Sequence, residues 1–169
     1  MKNASPTSRM LRFFLLGLVS LSLIAGCGFT LRGSHFIPAH FHELHISSFD
    51  KHAEIVRLVE NQLKANEVSI QKTATPNTAT LLLLADSLDR RTLTLFPNGQ
   101  IAEYELTYRV DFQVILPGKT EQTFVVEIAR DYQDDPDRAL AKSRELTLIL
   151  SEMRQQAAEQ IIRQLASVR

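Results

Sequence analysis

Tryptophan is absent from this 169-residue chain and cysteine occurs once. A single thiol excludes an intramolecular disulfide and any metal site built on several cysteines. Glycine numbers only six, too few and too scattered for a phosphate-cradling loop, and no Gly-x-Ser-x-Gly elbow occurs. Charge of one sign is not in excess either: 19 Lys and Arg face 19 Asp and Glu. That balance argues against a generally basic nucleic-acid binder. What is present is 44% hydrophobic and 22% charged residues, the composition of a globular chain with room for one domain.

The first stretch stands apart. Lys2, Arg9 and Arg12 form a positive region ahead of an apolar core, Phe13 to Ala25, of 13 residues. A membrane-spanning helix needs roughly 20 apolar residues, whereas export-signal cores run about 7–15. The core ends in Leu23-Ile24-Ala25-Gly26-Cys27, which places small residues before the lone thiol. This run resembles the bacterial lipobox, in which the cysteine is acylated and becomes the new N-terminus. Each buried methylene contributes about 0.8 kcal/mol, so three acyl chains would anchor the chain permanently. Gly28 follows, where an Asp would favour retention in the inner membrane, so the outer membrane is the expected address. The expected division is residues 1–26 as signal peptide, 27–42 as lipidated tether and 43–169 as one domain. The mature chain, Cys27 to Arg169, has 143 residues with 16 basic against 19 acidic side chains.

Along that body a short apolar strand is expected around Leu44 to Ile46, with Ser47-Ser48-Phe49-Asp50 supplying helix caps. Ile55, Val56, Val59 and Leu63 recur at helical spacing between Lys51 and Ala65, and Val68 and Ile70 mark a strand beyond the helix. A strand-helix-strand unit of this length favours a parallel, right-handed pair. Pro97-Asn98-Gly99 and Pro117-Gly118-Lys119 are turn signals. Between them Tyr104, Leu106, Tyr108, Val110, Phe112, Val114 and Leu116 alternate with polar residues. A strand of 16 residues reaches roughly 53 Å, so the hairpin tip is expected to project beyond the core. Asp135-Pro136 reads as helix cap and first turn, followed by the apolar stripe Leu146, Ile149, Leu150, Met153, Ala157, Ile161, Leu165 and Val168. The expected class is α+β: two amphipathic helices on one face of a mixed, mainly antiparallel sheet of about four to five strands, in the order β-α-β-β-β-α.

Chemistry-bearing clusters are few. All five histidines lie between His35 and His52, and His40-x-His42 on a strand would point two imidazoles to one side, with Glu43 facing away. Glu103 and Glu105 share a strand face that reads as solvated rather than catalytic. No enzyme activity, cofactor or metal is expected from these patterns. For an anionic ligand the candidate cations are Arg90, Arg91, Lys142, Arg144, Arg109 and Arg130.

Three segments carry a family resemblance: Cys27-Gly28-Phe29-Thr30-Leu31-Arg32-Gly33, Asn98-Gly99-Gln100-Ile101-Ala102-Glu103-Tyr104, and Ala139-Leu140-Ala141-Lys142 with Ala157-Ala158-Glu159-Gln160-Ile161-Ile162-Arg163. Together they resemble the lipopolysaccharide-assembly lipoproteins of the LptE family, in element order across the mature chain. The resemblance implies a lipid-anchored plug subunit of the outer-membrane lipopolysaccharide translocon. Such a subunit forms a heterodimer with the LptD β-barrel, assists its assembly, binds lipopolysaccharide and contacts no nucleic acid. It implies lipidation at Cys27 and barrel contacts at the hairpin tip, Pro97, Asn98, Gly99 and Gln100. The lysine of the Ala-Leu-Ala-Lys run, here Lys142, and a basic residue before Asn-Gly are associated with lipopolysaccharide phosphates. That second position is Pro97 here, a departure that leaves Arg90 and Arg91 as candidates to compensate. The alternatives are a lipoprotein binding a metal or another envelope ligand through the His-rich tether, or an accessory of another outer-membrane barrel complex.

Overall fold

The computed structural model describes residues 37–168; the expectations for the leader, Cys27 and His35 lie outside them. The chain runs β1 (Glu43–Ser48), α1 (Glu54–Ala65), β2 (Ser69–Gln71), β3 (Ala79–Leu95), β4 (Ile101–Ile115), β5 (Gln122–Gln133) and α2 (Ala139–Leu165), with 3-10 turns at Ala39–Phe41 and Pro136–Arg138. The strands form one sheet in the order β2-β1-β3-β4-β5. This is the expected α+β class with five strands, one strand more than the expected order spelled out.

The β1-α1-β2 unit pairs in parallel, Leu44 opposite Ile70, and β1 also runs parallel to β3, Ile46 opposite Leu81. The remaining pairs are antiparallel: Leu88 lies opposite Tyr108, and Tyr108 opposite Ile128. The alternation along β4 sorts its two faces as the sequence suggests. Leu106, Tyr108, Val110, Phe112, Val114 and Leu116 are buried. The intervening polar residues lie on the open face, where Arg109 bonds Asp111 and Glu127, and Arg91 bonds Glu105. Only the first face is apolar enough to accept a helix, so both helices share it. They meet there in a single core, with Ile55, Val56, Val59 and Leu63 from α1 and Met153, Ala157, Ala158, Ile161, Ile162 and Leu165 from α2. No buried residue among those described is polar or charged.

Three local expectations change. Asp50 does not cap α1: its carboxylate accepts from the His52 N–H at 2.8 Å, closing a turn two residues before Ala53 begins the helix without a side-chain cap. Asp135 likewise caps the 3-10 turn, accepting from the Asp137 N–H at 3.1 Å, and the α-helix starts only after Arg138, whose φ of −124° breaks helical geometry. The body also begins earlier than residue 43, because Ile37 and Phe41 are buried in the core. An apolar ring released from water outweighs the tether-like composition around it.

The hairpin reaches past this core. From Leu93 to Gln100 every residue is exposed, and β5 stops at Gln133, opposite Glu103. The tip is a three-residue loop in which Phe96 N–H donates to the Gln100 carbonyl at 2.8 Å and Gly99 N–H to the Phe96 carbonyl at 2.9 Å. Gly99 takes φ +83°, the left-handed position that such a loop requires and that a Cβ would disfavour.

Candidate functional site

Beside the hairpin tip the chain between β5 and α2 folds back, anchored where Asp134 N–H donates to the Ala102 carbonyl at 2.9 Å. A cleft of about 700 Å³ opens between the two segments. Phe96, Pro97, Asn98 and Gln100 form one wall; Gln133, the Asp134 to Arg138 turn and Lys142 form the other. The sequence reading assigned Lys142 to a lipid ligand and the tip to a protein partner. The fold brings Pro97, Asn98, Gln100 and Lys142 to one concavity.

Lys142 is held rather than free. Its ammonium donates to Glu145 at 2.9 Å and lies 5.1 Å from the centre of the Tyr132 ring, with 18% of the side chain exposed. The Tyr132 hydroxyl in turn donates to the Lys142 carbonyl at 2.9 Å. Burial, and then the negative charge of Asp134, raise the Tyr132 pKa above its ordinary value, opposed by the charges of Lys142 and Arg90. The phenol therefore stays a neutral hydrogen-bond donor and fixes the first turn of α2 against β5.

The two arginines expected to act together are separated by the pleat. Arg90 pairs with Leu106 and Arg91 with Glu105, so they point to opposite sides of the sheet. Arg90 shares the helix-bearing face and is near enough to bias Tyr132. Arg91 is on the open face, its Nε and Nη2 both bonded to Glu105 at 3.2 and 3.0 Å. Neither lines the cleft. Arg138, which sequence reasoning passed over, does. The Asp135-Pro136 cap signal marked its turn, but a cap signal says nothing of what the turn faces.

The histidines are dispersed. His40 lies in the 3-10 turn with its ring 4.3 Å from that of Phe41, rather than on a strand with His42. His45 Nδ1 donates to the Gln71 carbonyl at 2.9 Å, joining β1 to β2. Among the described residues no group of three His, Cys, Asp or Glu side chains is placed to hold a metal ion.

A second polar cluster, also unread in the sequence, ties both helices to the sheet. The Tyr108 hydroxyl donates to Asp86 at 2.7 Å, Arg154 lies 5.9 Å from the Tyr108 ring centre, and Arg154 donates to Glu54 at 2.6 Å. Burial, reinforced by the bond to Asp86, pushes the Tyr108 pKa well up. These groups are committed to one another and serve the packing.

The fold and the matching segments agree with what known proteins show. The LptE family model, described as lipopolysaccharide-assembly, matches residues 41–165. The chain is similar to the LPS-assembly lipoprotein LptE of Photorhabdus laumondii, 39% identical over 91% of this chain and 84% of that protein. It is 37% identical to the protein of the same name from Pectobacterium atrosepticum, over the same shares. Among solved structures, rare lipoprotein B of Shewanella oneidensis superposes with a TM-score of 0.69 at 50% identity, covering 74% of this chain and 94% of that one. These relatives are named for assembly and for a lipid anchor, not for a reaction. Matched through the hairpin, the cleft and the long second helix alike, the chain belongs to the LptE family.

Proposed function

We propose that the protein is a lipid-anchored, non-catalytic subunit of the outer-membrane lipopolysaccharide translocon, seated as a plug in the LptD β-barrel and binding lipopolysaccharide on its way to the surface. The cleft carries this reading. It unites Lys142 with the projecting tip, so the ligand and the barrel meet the protein at one end. The remaining surface suits a water-filled lumen: the open sheet face bears the Arg109–Asp111–Glu127 and Arg91–Glu105 clusters. Among the described residues no helix is long and apolar enough to cross a membrane; in this reading attachment is by acyl chains on Cys27 after removal of residues 1–26.

Partner contact in this reading is made by Pro97, Asn98, Gly99 and Gln100, and ligand contact by Lys142. A permanent interface of this kind buries more than about 2,000 Å². Gentle detergent extraction of the tagged protein from cells tests the reading. Co-purification of a large outer-membrane β-barrel in equal amount is expected, whereas recovery as a lone monomer would count against it.

A further inference from the structure

Two cations line the cleft, and they are not equivalent. Lys142 is spoken for by Glu145 and the Tyr132 ring. Arg138 is exposed, and its guanidinium makes no hydrogen bond or ion pair with any described residue. Its backbone is nevertheless fixed, since its N–H donates to the Asp135 carbonyl at 3.0 Å at the end of a capped 3-10 turn. Across the cleft stands Pro97, which has no side-chain donor. We propose that Arg138 is the anion-receiving side chain of this cleft and holds a phosphate of the lipopolysaccharide together with Lys142. The inference rests on the reading of function above and assigns to Arg138 the second cationic contact.

The chemistry favours it over the arginines of β3. A guanidinium presents paired donors in a rigid fork that matches two phosphate oxygens, and an unengaged fork gives up no existing bond to do so. Arg91 would have to abandon two bonds to Glu105 on the far side of the sheet. Three carboxylates share the cleft wall. Those of Asp134 and Asp135 accept from the N–H groups of Asp135 and Asp137 at 2.9 and 3.1 Å, and that of Asp137 bonds none of the described residues. Their charge outweighs the two cations, so the cleft does not gather small anions at long range. It suits an anion that also brings apolar surface to Phe96 and Pro97, which is a phosphorylated lipid headgroup rather than inorganic phosphate.

The test uses the full lipidated chain in detergent micelles and measures binding of lipopolysaccharide and of phosphatase-treated lipopolysaccharide. Arg138→Gln is expected to weaken binding of the phosphorylated form roughly tenfold, the loss of one charge-assisted contact, and to leave the dephosphorylated form unchanged. Arg138→Lys should recover part of the loss, and inorganic phosphate in large excess should not displace the lipid. Undiminished binding by Arg138→Gln alongside weakened binding by Lys142→Gln would overturn the role of Arg138 and leave the function standing. Displacement by inorganic phosphate would overturn the lipid headgroup as its partner. Failure of the unsubstituted chain to bind lipopolysaccharide at all would overturn the functional reading itself.

Discussion

At the scale of single residues, Lys142 and Tyr108 are both held in place by their neighbours. Lys142 is positioned by Tyr132 and Glu145, whereas Lys51 lies in an exposed turn. Lys142→Ala is therefore expected to weaken lipopolysaccharide binding more than Lys51→Ala does, measured side by side on the two purified variants; equal affinities would remove Lys142 from the site. Tyr108 offers a different test. Its pKa is raised in the folded protein by burial and by the bond to Asp86, so above about pH 10 the unfolded chain loses a phenolic proton that the folded chain keeps. The unfolded state then binds fewer protons, and stability falls as the pH rises from there. Urea unfolding between pH 8 and 11 should show that decline, and Tyr108→Phe should make it shallower. Sequence patterning put Tyr108 on the buried face correctly, but it had no means of pairing it with Asp86, 22 positions away on another strand.

Among the elements, α2 has one covered face and one open face. Its stripe is buried against the sheet and α1 from Met153 onward, and Leu146, Ile149 and Leu150 pack partly buried on the same core, while Leu140 and Leu148, off the stripe, are 82% and 61% exposed. The 3.6-residue periodicity separates that stripe from the two exposed leucines. Ile161→Ala should cost about 3 kcal/mol, the usual penalty for emptying a packed aliphatic site. Leu140→Ser should alter stability by no more than about 0.5 kcal/mol. Thermal unfolding of the two variants reads both, and similar losses would show that Leu140 is packed after all. The strands were more legible. Strict alternation over Tyr104 to Leu116 fixed the faces of β4, and two proline-glycine turns fixed its ends, because a period of two leaves no choice of side once one face is buried. What alternation leaves open is a strand's neighbours. The separation of Arg90 and Arg91 follows from the pleat alone, yet which of them shares the helix-bearing face depends on β3 pairing with β4 in the register that sets Arg90 opposite Leu106.

For the whole molecule, the core residues among those described lie at Ile37 and beyond, at least ten residues after the cysteine proposed to carry the lipid. Anchoring and folding should therefore separate. Cys27→Ser is expected to release the chain from the membrane fraction while its cooperative urea unfolding keeps the same midpoint; a shifted midpoint would tie the anchor to the fold. The cleft itself was half visible beforehand. Its hairpin wall and Lys142 are local motifs, but the acidic turn and Arg138 enter only because β5 ends opposite Glu103 and Asp134 bonds back to Ala102. No spacing along the chain encodes that return. The proposed seat inside a larger body rests on the projecting tip and on the charged clusters of the sheet's open face. Placing a photoreactive side chain at position 97 in living cells and identifying its adduct tests that directly. A single adduct with a large outer-membrane β-barrel is expected; no adduct, or adducts with soluble periplasmic proteins alone, would contradict it.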